Sequence, residues 1–242
     1  MGVKRLIALV LAAMLLAGCS PGTLAIDALD KDRDFGAFHA SAPNIAVANR
    51  GWALVQEGEP EPTFSDVPAD AYCFNAVEWA ALKGITAGTG DGLFLPLRTV
   101  TRAEVVTMLW STFGKPVVES DKSFSDVPES AFFHDAVMWA AERGITAGKG
   151  DGKFDPAGIC SRAEVVTMLW SAVGKPVVES DMTFSDVKAG QFFANAVLWA
   201  AEEGITAGMG DGSFGIAVPC NRAHIVTFLY AAYPIISDYI SD

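Results

Sequence analysis

Basic residues are scarce in this chain. Lys and Arg total 17 of 242 residues against 29 Asp and Glu, and the only clustered pair, Lys4 and Arg5, lies at the extreme N-terminus. A phosphate backbone needs a basic surface that a net charge of −12 cannot assemble, which excludes nucleic acid as a partner. Cysteine is scarce as well: 4 residues are too few to build a disulfide scaffold, and no Cys-x-x-Cys or His-rich spacing marks a metal site. An apolar run of about 20 residues, the length of a membrane span, is missing. Missing too are a phosphate loop, a nucleophile with its base and a motif of paired catalytic carboxylates, so no enzyme class is indicated. Glu104 with Asp66 is the one pair to inspect against the spacing of about 5 to 9.5 Å that glycoside hydrolysis needs. No cofactor is called for.

What remains is an acidic chain that is 51% apolar, enough to build a core by ordinary burial. Lys4 and Arg5 precede an uncharged run from Leu6 to Ala17, then Leu16-Ala17-Gly18-Cys19. The run suits an export signal rather than a span, and its last four residues resemble the bacterial lipobox, in which the cysteine is lipidated and becomes the first mature residue. Residues 1–18 are thus expected to be a lipoprotein signal peptide and Cys19 the lipidation site. Two acyl chains at about 0.8 kcal/mol per buried methylene would hold the N-terminus on a membrane surface. Residues 19–63 read as a spacer, with Ser20-Pro21-Gly22 and Glu57-Gly58-Glu59-Pro60-Glu61-Pro62, although Ile45, Val47, Trp52, Leu54 and Val55 equally suit a strand or short helix.

A period of 60 residues organises the rest. Phe64-Ser65-Asp66-Val67 returns at Phe124 and at Phe184; Trp79, Trp139 and Trp199 keep the spacing, as do Gly84-Ile85-Thr86-Ala87-Gly88, Asp91-Gly92 and Arg102, Arg162 and Arg222. Three copies without drift are three copies of one supersecondary unit, stacked or set about a pseudo-threefold axis. Each unit reads as helix, loop, helix. The first helix is predicted over about residues 69–83 and ended by Gly84; a glycine-rich loop with Phe94 as anchor follows; the second helix opens on a capping box, Thr101 with Glu104 and Ser161 with Glu164. Gly114 and Pro116 stop it. The third copy keeps a cap at Asn221 but has His224 in place of the glutamate.

Taken together, Phe-x-Asp-Val, Ala-Val-x-x-Ala, Gly-Ile, Asp-Gly-x-Phe-x-Pro and Thr-Arg-Ala-Glu resemble the S-layer homology (SLH) module, in three copies expected at 64–120, 121–180 and 181–242. The resemblance implies an all-α fold of three helix-loop-helix repeats in a trimer-like, pseudo-threefold arrangement within one chain. One helix of each repeat would build a central bundle, with grooves between the lobes. It also implies non-enzymatic anchoring: the grooves would bind a secondary cell-wall polysaccharide, or another polymer linked to peptidoglycan, that is anionic and often pyruvylated. With the N-terminal lipid in the membrane, the protein would sit outside the cytoplasm as a membrane-to-wall tether. The rival reading is a protein-interaction scaffold of the envelope.

Arg102, Arg162 and Arg222 fall at the first position of a helix, where the dipole disfavours a cation by about 0.3 to 1 kcal/mol. A ligand carboxylate beside each arginine and the free N-terminal amides would explain them. So would internal ion pairs with Asp66, Asp126 and Asp186, which recur as faithfully. Trp79, Trp139 and Trp199 suit either sugar stacking or the core. Tyr72, Phe132 and Phe192 stand where the family commonly has tryptophan. Of Cys73, Cys160 and Cys220, at least one must lack a partner within the chain.

Overall fold

The computed structural model describes residues 62–241; the expected signal peptide, Cys19 and all but the last two residues of the expected spacer lie outside them. The described residues form six helices: α1 (Phe74–Leu82), α2 (Arg102–Thr112), α3 (His134–Glu142), α4 (Arg162–Ala172), α5 (Ala194–Glu202) and α6 (Arg222–Ser241). Among the described residues extended backbone pairs only in isolated bridges, so the protein is all-α, as its repeats imply. No helix of this region is long and apolar enough to cross a membrane.

The first helix of each repeat is shorter than its sequence suggests. Before α1 the chain makes two successive tight turns, Ala71 N–H to the Pro68 carbonyl and Phe74 N–H to the Ala71 carbonyl, both 2.9 Å. These turns occupy the stretch from residue 69, and Cys73 then enters the helix with no side-chain cap. At the other end Gly84, Gly144 and Gly204, with φ of 65°, 65° and 69°, terminate the helices where expected. The second helices begin as predicted, with both capping boxes closed.

Contacts run in cyclic order. Each first helix packs on the second helix of the preceding repeat, α3 on α2 and α5 on α4, while α1 packs on α6; α2, α4 and α6 also touch one another pairwise. Just ahead of these helices the backbone closes a ring. Val100 N–H donates to the Cys220 carbonyl (3.0 Å), Cys220 N–H to the Cys160 carbonyl (2.8 Å) and Cys160 N–H to the Val100 carbonyl (3.2 Å). One hydrophobic cluster spans all three repeats, with the loop anchors Phe94, Phe154 and Phe214 fully buried. Each of those rings contributes about 1.5 to 3 kcal/mol by burial. An open solenoid keeps two exposed ends, whereas here the last unit covers the first.

The third unit ends differently. Gly114 and Gly174, at φ of 83° and 80°, break α2 and α4, but their counterpart is Pro234. Proline is confined to negative φ and cannot make that turn, so α6 continues to Ser241. The extension buries Ile236, while Tyr233, at the position of Phe113, lies 5.2 Å from Trp79 much as Phe113 lies 5.5 Å from Trp139.

Candidate functional site

The three recurring aspartates shape the loops. Asp66 accepts the N–H groups of Phe94 and Leu95 (both 2.7 Å), Asp126 those of Phe154 and Asp155 (both 2.8 Å), and Asp186 those of Phe214 (2.7 Å), Gly215 (2.8 Å) and Ile216 (3.0 Å). Slight burial opposes ionisation of Asp126 and Asp186, but these amide donors outweigh it and hold both carboxyls below their ordinary value. Leu95 and Asp155 adopt φ of 58° and 62° to present both amides to one carboxylate.

Each seated loop receives an arginine from the repeat before it. Arg102 Nε donates to the Phe154 carbonyl (2.9 Å) and Nη2 to Thr146 Oγ1 (3.2 Å); Arg162 does the same with Phe214 (3.2 Å) and Thr206 (3.0 Å), and Arg222 with Phe94 (2.6 Å) and Thr86 (3.1 Å). The guanidinium carbons lie 4.6 to 5.2 Å from the centroids of Phe94, Phe154 and Phe214. All three arginines are buried, at 3%, 1% and 3% exposure. Burial lowers the Arg162 and Arg222 pKa from its ordinary value. The amide receptor anticipated at the helix starts is already filled. Arg102 and Ala103 of α2 donate to the Gly158 and Pro156 carbonyls, and Arg222 and Ala223 of α6 to those of Arg98 and Pro96. The next repeat's loop needs to satisfy its own carbonyls, and the helix start satisfies them.

The tryptophans are also turned inward. Trp139 and Trp199 are 2% and 1% exposed, and Trp79 is half-buried between the tyrosines of α6. Cys73, Cys160 and Cys220 are buried free thiols, and burial pushes the last two up to about 12. Among the described residues no group of His, Cys, Asp and Glu is placed to hold a metal ion.

What does face solvent is a pair of matching grooves between adjacent repeats. One, about 330 Å³, is lined by Arg98, Thr101, Ala103 and Glu104 on one side and Phe132, Phe133, Pro156 and Ala157 on the other. Its neighbour, about 410 Å³, is lined by Ser161, Ala163 and Glu164 and by Phe192, Phe193, Ile216 and Ala217. These sizes suit a small-ligand site. Phe132 and Phe192 stand in the grooves 74% and 70% exposed, an unusual position for such large apolar rings. The capping glutamates form the polar wall. Burial works to raise the Glu104 and Glu164 carboxyls, but hydrogen bonds from Arg98 and from Lys149 respectively, with the N–H of Thr101 and Ser161, prevail and hold both below the ordinary value. At the third boundary the same positions carry Asn221, Ala223, His224 and Tyr72. Burial and then Arg162 push His224 down to about 4, so it is neutral at pH 7.

Repeat logic alone missed three kinds of residue. Thr86, Thr146 and Thr206 recur within the Gly-Ile-Thr-Ala-Gly segment, and that recurrence was the available signal for them. Arg98 and Lys149 recur nowhere and gave no signal at all.

The S-layer homology domain family matches this chain at residues 63–106, 123–166 and 183–225. Similar proteins include the S-layer protein sap of Bacillus anthracis (28% identity over 62% of this chain and 19% of sap) and the surface-layer 125 kDa protein of Lysinibacillus sphaericus (32% identity over 59% of this chain and 12% of that protein). An amylopullulanase of Thermoanaerobacterium thermosulfurigenes is 33% identical over 81% of this chain and 11% of the enzyme. The aligned region spans no more than about a fifth of these relatives, so the likeness concerns the repeats and not the remainder of those proteins. With three matched modules that together cover more than half of its length, the chain belongs to the S-layer homology domain family.

Proposed function

We propose that this protein is a non-enzymatic cell-surface anchor that binds a secondary cell-wall polysaccharide in the grooves between its repeats. The observation that carries the reading is the exposure of Phe132 and Phe192 in two grooves of the same construction. A flat aromatic face beside carboxylate and hydroxyl acceptors suits a sugar ring, whose C–H faces stack while its hydroxyls donate. Family membership and the S-layer names of the relatives support a place at the cell wall. In this reading Arg102, Arg162 and Arg222 position the grooves from beneath, and Asp66, Asp126 and Asp186 hold the loops they grip. Trp79, Trp139 and Trp199 pack the helices that carry the aromatic wall. A pyruvylated, anionic polymer is the ligand expected from the family resemblance, and lipidation at Cys19 would make the protein a membrane-to-wall tether.

The test is sedimentation of the full chain with purified sacculi, before and after the non-peptidoglycan polymer is stripped. Binding that disappears on stripping, and that falls at least about tenfold in the Phe132→Ala, Phe192→Ala double variant, is the expected result. Both rings are largely solvent-exposed, so the double variant keeps the native fold. Binding unchanged by stripping would reassign the ligand to peptidoglycan itself.

A further inference from the structure

Arg98 and Lys149 occupy unrelated repeat positions, yet they serve the same place. The counterparts of Arg98 are Gly158 and Val218, and those of Lys149 are Thr89 and Met209. Arg98 Nη2 nevertheless donates to Glu104 Oε1, and Lys149 Nζ to Glu164 Oε1 at 2.6 Å. Each open groove therefore has one cation on the outer oxygen of its capping glutamate. Helix capping does not require either pairing, because the inner oxygen Oε2 already receives the Thr101 or Ser161 N–H at 2.9 Å. Nor does stability, since ion pairs with cations 38% and 44% exposed contribute about 0 to 1 kcal/mol. A chain with 17 basic residues against 29 acidic ones has nonetheless placed a partly exposed cation beside each of the two grooves that carry an exposed phenylalanine. The position of that glutamate at the third boundary holds neutral His224, with Met209 and Val218 at the two cation positions.

We infer that Arg98 and Lys149 are the anion-recognising residues of this protein, each receiving a pendant acid group of a saccharide whose ring lies on Phe132 or Phe192. This rests on the proposed polysaccharide binding and specifies where the ligand's charge goes. The ligand acid takes up the solvent-facing N–H donors of the cation, while the glutamate stays on its cap. Two sites per chain follow, and the third boundary is left without one.

The experiment measures binding of the full chain to polymer-bearing sacculi and to the same sacculi after carbodiimide amidation of their carboxyl groups. Arg98→Gln and Lys149→Gln should each weaken binding about threefold to tenfold, and the double variant more than either. Binding by the parent protein should weaken as salt is raised from about 0.05 to 0.5 M, while the double variant loses most of that dependence, a readout that a purely structural role would not move. Arg98→Lys should retain most of the affinity. If amidation weakens the parent and leaves the double variant unaffected, the acid is a carboxylate. Substitutions that weaken binding while amidation does not identify a phosphate. Parent and double variant binding alike, with the same salt dependence, would overturn the inference while leaving the proposed function standing. A parent that ignores the stripped polymer would overturn both.

Discussion

Repeats one and two are near copies in structure as well as sequence, whereas repeat three departs from them at four linked points. It exchanges the capping glutamate for His224, the Phe-x-Pro step for Phe214-Gly215-Ile216 and the helix-breaking glycine for Pro234, and it has neither groove cation, with Met209 and Val218 at the positions of Lys149 and Arg98. Some departures are compensated locally. Pro96 and Pro156 have no N–H, while Ile216 does, and Asp186 accepts it as a third bond. Gly215 takes φ of 77° without the cost that Leu95 and Asp155 bear there. Others change how the repeat ends, because α6 runs on to Ser241 and buries Ile236. The arginine latch, by contrast, is the same in all three. The latch is thus uniform across the three boundaries, while the grooves are not.

The largest effect should come from the latch. Arg102→Ala, Arg162→Ala and Arg222→Ala each leave a buried carbonyl and a threonine hydroxyl without their donor and open a cavity, costing about 3 kcal/mol or more in denaturant unfolding. Lysine should not rescue any of them, since one ammonium on a flexible stem cannot reproduce the Nε and Nη2 fork. Equal losses at the three sites would sharpen the contrast between an equivalent frame and non-equivalent grooves; a mild Arg222→Ala would break it. A smaller effect is expected at the caps. Glu164→Ala removes one arm of a closed box and should cost about 1 kcal/mol, whereas His224→Glu should gain a fraction of that by completing the box on Asn221. Paired thermal melts measure both.

A third comparison is in pH. His224 is held at about 4 when folded against an ordinary 6.5, so the unfolded chain binds the extra proton and stability declines as pH falls from 6.5 toward 4. Glu104 and Glu164 have the usual carboxylate sign. Their contribution is full above the ordinary value of 4.5 and disappears as pH drops below it through the lowered folded values. His224→Gln should therefore flatten the first decline and leave the second, which unfolding curves at stepped pH would resolve. A decline starting only below 4.5 would show that the third boundary titrates like the others.

Much of this was readable beforehand. The glycine stops, the Phe94 anchor, both capping boxes and the missing box at His224 follow from local chemistry, which short spacings carry. The start of α1 was misplaced by several residues because apolar periodicity continues through a stretch that the backbone uses for tight turns. The site was less legible. The recurring arginines, aspartates and tryptophans stood out because duplication copied them. Yet the arginines and most of the tryptophans are buried, and the solvent-facing wall consists of the aromatic substitutes Phe132 and Phe192 and of cations that do not recur.

By itself the sequence determined the unit: its length, its two helices and their caps, all set by interactions a few residues apart. Only the tertiary structure decided that Arg222 would grip Phe94 across 128 positions, which is the contact that turns a linear row into a closed ring. It also decided which side chains a groove would expose. A repeat pattern states what is copied, but burial depends on what the neighbouring copy covers, and that is known only once the first repeat and the last have met.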